Sequence, residues 1–167
     1  MNIRTLSFIL ALGTVLAATP AHAFDGDRRG FLLGLGAGYG SAEAFRNTDK
    51  GTATSFKIGA GLNDRTLLYY SNRVVFFSQH GDVDYQGMTA AGVSFYLQPD
   101  QPSFFFSGEL GVAARRSRRG TSNLGFTVGV GYEFTRHLNF ELNYMNGPID
   151  ESSELKNFTA VLSWIWY

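Results

Sequence analysis

Strict alternation of side chains is the feature that most constrains how this chain folds. Outside a turn at 135–137, every second residue from 124 to 144 is large and apolar, and those between are mostly glycine, threonine, asparagine or glutamate. Successive side chains of a strand point to opposite faces, so the pattern predicts two antiparallel strands with one apolar and one small, polar face. Glycine and aromatic residues are abundant, which favours strands over helices.

The same alternation recurs between turn-forming residues and predicts eight strands in total. They cover 30–41, 52–62, 66–78, 85–97, 104–114, 124–134, 138–144 and 157–167. The third and eighth leave their register open, because both of their faces carry apolar residues. These lengths are close to the roughly 9–11 residues that a tilted strand needs to cross a membrane.

The charged residues of these strands decide which face is outside. If Leu68, Tyr70, Val74 and Phe76 are taken as the apolar face of the third strand, all of the charges fall on the small face: Lys57, Arg73, Glu109, Glu133 and Glu141. A soluble lipocalin-like or sandwich protein would carry charge on its outer faces, whereas glycine and paired charges suit a narrow closed interior. We therefore predict that the apolar face contacts lipid, where a sheet must close to pair its backbone groups. The predicted fold is all-β, an eight-stranded antiparallel up-and-down transmembrane β-barrel.

The N-terminal residues predict export. A short basic start, a brief apolar run and Ala21-His22-Ala23 form the pattern of a cleaved signal peptide over residues 1–23. Residues 24–167 then form the outer-membrane barrel domain. The chain has no cysteine, so disulfides do not stabilise it. Its balanced charge, with 14 basic and 14 acidic residues, argues against a nucleic-acid partner.

Connection lengths predict the orientation. Connections 63–65, 98–103 and 135–137 are short, whereas 42–51, 79–84, 115–122 and 147–156 are generally longer and more polar. Short turns of such barrels face the periplasm and longer loops the exterior, so both termini are expected in the periplasm. The chain ends on Tyr167 in "SWIWY", which resembles the C-terminal signal read by the outer-membrane assembly machinery. Signal peptide, eight strands and aromatic end together resemble the small bacterial outer-membrane barrels of the OmpA/OmpX type.

Two groups of side chains are candidate sites. The five lumen charges are predicted to form a structural ion-pair network, because buried charges must pair. Arg115, Arg116, Arg118 and Arg119 in "RRSRRG" could bind lipopolysaccharide phosphates, since guanidinium groups match phosphate oxygens, although a solvated loop explains them equally well. No metal or other cofactor is expected, and outer-membrane lipids are the expected surroundings.

Catalytic residues are not expected. His80 and His137 fall at opposite ends of the barrel, and His137 is read as a solvated turn residue. The resemblance extends to lipid A deacylases, but their His-x-Ser pair is replaced by Asn143-Tyr144-Met145. The favoured function is a non-enzymatic surface barrel that supports envelope integrity or contacts lipopolysaccharide or host surfaces. A lipid A-modifying enzyme with a non-standard site and a small pore are the alternatives.

Overall fold

The computed structural model describes residues 28–44, 47–79, 82–115, 123–150 and 153–167. These residues form eight strands in sequence order: β1 (Gly30–Ala44), β2 (Asn47–Asn63), β3 (Thr66–Gln79), β4 (Asp82–Tyr96), β5 (Ser103–Arg115), β6 (Asn123–Glu133), β7 (Leu138–Asp150) and β8 (Ser153–Trp166). The signal peptide predicted at 1–23, His80 and Arg116, Arg118 and Arg119 lie outside the described residues. The described residues include no helix long and apolar enough to cross a membrane.

The strands close into a barrel. Each strand pairs antiparallel with the next, and β1 pairs antiparallel with β8 from Leu33↔Trp166 to Ala44↔Leu155. Every strand therefore has two hydrogen-bonded neighbours and the sheet has no free edge. The predicted all-β, eight-stranded antiparallel barrel is confirmed.

The two faces of the wall lie as the charge pattern predicts. Large apolar side chains cover the outside, for example Leu110, which is 64% exposed, and Leu124, which is 73% exposed. The two open registers are now fixed. Leu68 of β3 and Trp164 of β8 point outward, and Leu67 and Ile165 are buried inside.

The strands are longer than predicted at the end away from the chain termini. β1 continues to Ala44 and β2 begins at Asn47, while β7 continues to Asp150 and β8 begins at Ser153. Most of the predicted loops 42–51, 79–84 and 147–156 is therefore strand. Hydrophobic alternation reports only the part of a strand whose outer face is apolar, since beyond it both faces can be polar while the backbone ladder continues. The connections at that end are therefore shorter than predicted, but the longest one, 116–122, still joins β5 and β6 there.

The interior is filled by side chains in layers. We call the end that carries Arg28 and Tyr167 the terminal end, and the opposite one the loop end. One buried apolar cluster lies toward the terminal end, comprising Leu32, Leu67, Tyr69, Tyr96, Phe105, Ile165 and Tyr167. Two smaller ones lie toward the loop end, comprising Met88, Ala90, Ala113 and Met145, and Ala42, Ala53, Val75, Phe77 and Val161. Charged groups occupy the space between them.

Candidate functional site

Four of the five predicted lumen charges meet in the middle of the barrel. Lys57 lies on β2, Arg73 on β3, Glu109 on β5 and Glu141 on β7. Each occupies an inward position of its strand, and none is more than 4% exposed. We call these four side chains the central network.

Glu141 is the acceptor that both cations share. Lys57 Nζ lies 3.0 Å and 3.2 Å from its two carboxylate oxygens. Arg73 Nη2 donates to Glu141 Oε2 at 2.9 Å, and Ser107 Oγ donates to Oε1 at 2.9 Å. Every oxygen of this buried carboxylate therefore has a charged or hydroxyl donor.

Glu109 is held in the same way from the other side. Arg73 donates to it through Nη2 at 2.8 Å and Nε at 3.3 Å, so the guanidinium bridges the two carboxylates. Ser71 Oγ and Tyr69 Oη donate at 2.9 Å and 3.1 Å. Gly92 leaves space for this side chain, because the Cβ of an alanine at that position would lie 2.6 Å from Glu109 Cγ.

The central network is electrically balanced. It contains two cations and two carboxylates, and Lys57 Nζ also lies 4.7 Å from the centre of the Tyr69 ring. Paired and hydrogen-bonded charges of this kind satisfy one another in a low-dielectric interior. The arrangement fixes β2, β3, β5 and β7 to one another across the lumen. Of its donors, Arg73 Nη1 has no acceptor among the described residues.

Glu133 does not join the central network. Its carboxylate pairs with the buried guanidinium of Arg28, through both Nε and Nη2, at the terminal end. Tyr167 Oη donates to the other carboxylate oxygen at 3.3 Å and lies 3.1 Å from Tyr96 Oη. We call Arg28, Tyr96, Glu133 and Tyr167 the terminal seal.

Arg28 closes this end of the barrel by joining separate connections. Its Nη1 donates to the carbonyl oxygens of Asp64, Gln98 and Pro99 at 2.6 Å, 2.7 Å and 2.8 Å. Its guanidinium carbon lies 4.0 Å from the centre of the Tyr96 ring. Arg28 is only 2% exposed. Glu133 of β6 neutralises its charge, and carbonyl oxygens of the β2–β3 and β4–β5 connections accept its other hydrogen bonds.

Two glycines allow the backbone at Arg28, just before β1, to cross the terminal end of the barrel. Gly30 has a φ of +88°, a conformation that other residues adopt only with strain. A side chain at Gly61 would collide with the carbonyl oxygen of Arg28. Arg28 was not predicted from the sequence, because this residue precedes the first alternating segment. The one available signal was a basic pair, Arg28-Arg29, directly before a glycine.

Arg115, His137 and the stretch 143–145 were also singled out from the sequence. Arg115 is the last residue of β5 and borders 116–122, outside the described residues. His137 is partly buried and its ring stacks on Trp164. Its Nδ1 lies 2.8 Å from the carbonyl oxygen of Ile165, so the prediction of a solvated turn residue was wrong.

In the stretch that replaces the deacylase pair, Asn143 and Met145 point into the barrel. Within the described ranges, no three His, Cys, Asp or Glu residues are grouped to hold a metal ion.

No family model and no curated protein matches this chain, whereas solved structures do. Ail, the attachment invasion locus protein of Yersinia pestis, superposes with a TM-score of 0.60 and 11% identity, covering 83% of this chain and 99% of Ail. Neisserial surface protein A superposes with a TM-score of 0.56 and 14% identity, covering 80% and 96%. The outer membrane protein OprG of Pseudomonas aeruginosa gives 0.51 and 8%, covering 85% and 99%.

These likenesses define a class by fold. The chain is a small eight-stranded antiparallel barrel with the architecture of small outer-membrane barrels. Nearly the whole of each solved protein is matched, so the likeness concerns the complete barrel.

Proposed function

We propose that this protein is a non-enzymatic barrel of the bacterial outer membrane, with both termini in the periplasm and its loop end on the cell surface. The observation that carries the proposal is the combination of an apolar outer wall with a filled, charge-paired interior. A protein with a large exposed apolar surface is poorly soluble in water. A closed barrel with an apolar outer wall is stable in lipid, because all of its backbone groups are paired within the sheet.

The interior argues for a surface role over conduction. The central network spans the lumen in its middle, and the terminal seal closes one end with a buried arginine and three aromatic or acidic side chains. An eight-stranded barrel is just wide enough for its interior to be filled by side chains. We expect no conductance in planar bilayers and an unchanged lipid A mass spectrum on deletion. A steady conductance, or a lost lipid A modification, would contradict the proposal.

The surface ligand we propose is a phosphate- or sulfate-bearing glycan, with lipopolysaccharide as the nearest source. Arg115, Arg116, Arg118 and Arg119 form a run of guanidinium groups at the loop end of β5 and after it. Guanidinium forks pair with phosphate and sulfate oxygens. Ail has been solved in complex with the heparin analogue sucrose octasulfate, which shows that a barrel of this architecture can bind such a polyanion.

A charge-matched pair of variants tests this ligand. Arg118→Gln with Arg119→Gln removes two positive charges from the run, and Arg65→Gln with Arg136→Gln removes two exposed ones at the terminal end. We expect the first variant alone to lose lipopolysaccharide that co-purifies with the barrel and to weaken binding of sucrose octasulfate. Equal retention by the two variants would reject the arginine run as the binding site.

The two ends of the sequence extend the proposal to biogenesis. We propose that residues 1–23 are removed after Ala23 and that Tyr167 is read by the assembly machinery. Tyr167 also belongs to the terminal seal, so two substitutions separate its roles. Tyr167→Phe keeps the aromatic ring and should assemble normally with reduced stability, whereas Tyr167→Ala should also lower the amount assembled. N-terminal sequencing of the outer-membrane protein should give Phe24 as its first residue.

A further inference from the structure

The outward wall contains a polar pair where only apolar groups are expected. Asn72 of β3 and Thr89 of β4 are register partners, and Asn72 Nδ2 donates to Thr89 Oγ1 at 2.8 Å. Both side chains are partly exposed on the outer surface of the barrel. Neither belongs to the central network or the terminal seal.

This pair lies at the middle of the lipid-facing belt. On β3 the outward apolar side chains run from Leu68 to Phe76, and Asn72 is midway between them. A strand rises about 3.3 Å per residue and tilts about 40° in such barrels, so roughly 10 Å of wall lies on either side. The belt is about 25 Å high in total, which places the amide near the bilayer centre.

An asparagine at this depth needs more partners than Thr89 supplies. Its amide has two N–H donors and a carbonyl that accepts twice, and the bond to Thr89 uses one donor. Acyl chains offer no donor or acceptor at mid-depth, because lipid polar groups lie at the interfaces. Polar side chains facing hydrocarbon are costly and typically mark contacts with other protein.

The wall around the pair suits close approach of another surface. A shallow groove follows β3, β4 and β5 around the pair, and its lining includes Val74, Gly87 and Ala114. Small residues such as Gly87 and Ala114 let two walls come near enough for side-chain amides to bond, as they do between helices in membranes.

We propose that this groove is the contact surface of a homodimer, in which Asn72 of each copy hydrogen-bonds Asn72 of the other. Two copies inserted in the same direction carry the residue at the same depth, so a two-fold axis along the membrane normal brings the amides together. A primary amide is both donor and acceptor, which makes the pair self-complementary. This inference rests on the membrane location proposed above.

The chain has no cysteine, so single cysteines report the contact directly. We compare Val74→Cys, two residues from Asn72 on the outer face of β3, with Leu142→Cys on β7, across the barrel, in native outer membranes under mild oxidation. Disulfide-linked dimers are expected for Val74→Cys alone, because the two-fold axis that pairs the Asn72 amides also brings the neighbouring β3 positions together. Adding Asn72→Leu, which keeps the side chain's size, should reduce the linked fraction. In detergent micelles the same substitution should weaken dimerisation about five- to thirtyfold, as expected for one or two hydrogen bonds in an apolar medium.

Several results would overturn the dimer. These are equal cross-linking at the two positions, a linked fraction that Asn72→Leu leaves unchanged, or a monomeric wild-type protein in the micelles. Tyr70→Cys, on the other side of Asn72 along β3, gives a second reporter if Val74→Cys fails to show the heat-modifiable band of a folded barrel. A monomer that remains in the membrane pellet after alkaline extraction rejects only the dimer. A chain released by that extraction would reject the membrane location itself.

Discussion

Replacing Lys57 with methionine tests the energetic role of the central network. The change keeps the aliphatic stem and removes the ammonium group that lies 3.0 Å and 3.2 Å from the Glu141 carboxylate oxygens. It leaves two carboxylates with Arg73 as their single cation. We expect Lys57→Met to destabilise the barrel more than any substitution in a loop.

The magnitude follows from the geometry. At an effective dielectric constant of about 20, unit charges roughly 3 Å apart attract by about 5 kcal/mol. Removing one partner of a buried ion pair lowers the free energy of unfolding by about 3–5 kcal/mol, because the remaining charge stays desolvated and unpaired. Glu141 retains Arg73 at 2.9 Å and Ser107 at 2.9 Å, so we expect the lower end of that range, about 3 kcal/mol.

Two further variants separate pairing from packing. Lys57→Met combined with Glu141→Gln restores neutrality, since Arg73 and Glu109 remain paired, and should recover most of the lost stability. Lys156→Met is the matched surface control, because Lys156 pairs with Glu154 at 3.2 Å while both side chains are largely exposed. Exposed pairs contribute little, so we expect no resolvable change.

Urea unfolding in lipid vesicles, followed by the fluorescence of Trp164 and Trp166, measures these differences, and the heat-modifiable gel shift gives an independent reading. Equal unfolding free energies for wild type and Lys57→Met would refute the reasoning. So would a double variant that is less stable than Lys57→Met alone, since that would assign the loss to packing.

Three further predictions concern the glycine niche, a surface pair and the terminal seal. Gly92→Ala crowds the carboxylate it faces and should cost about 1–3 kcal/mol of unfolding free energy, whereas Gly108→Ala, with open space around the added methyl, should cost far less. The hydrogen bond from Arg29 lowers the pKa of Asp64 below 3.8, so its stabilisation is present above that pH and is lost as pH falls through the lowered value. Because this pair is exposed, the effect on unfolding should be small, so the NMR titration of the Asp64 carboxyl measures it more directly; its pKa should rise in Arg29→Gln. Arg28→Gln should destabilise the barrel by about 3 kcal/mol, far more than Arg29→Gln, in the same unfolding assay.

The sequence was sufficient to predict the architecture because the outer wall of the barrel is apolar and its interior is small or polar. Alternation persists along the apolar part of each strand, so the strand number and the inward position of Lys57 could be read directly. The predicted strand ends were wrong beyond the apolar part of the wall, as in β1, which continues to Ala44. There both faces can be polar, and no periodicity marks the end of the ladder.

The interior was only partly predictable for a different reason. Alternation assigns a side chain to the lumen but does not give its height, which depends on the stagger between strands. Glu133 was therefore grouped with Glu141, although it lies at the terminal end with Arg28. Asn72 was overlooked because a single polar residue among Leu68, Tyr70 and Val74 does not disturb the pattern.

The central claim is that the large apolar face of the wall meets hydrocarbon while the charged residues lie inside. Spin labels at outward positions in mid-strand, such as Leu110, Val128 and Leu142, measure this directly in reconstituted bilayers. We predict high accessibility to molecular oxygen and low accessibility to a water-soluble nickel chelate at all three positions. Strong relaxation by the nickel chelate at these positions would place the apolar face in water and contradict the account.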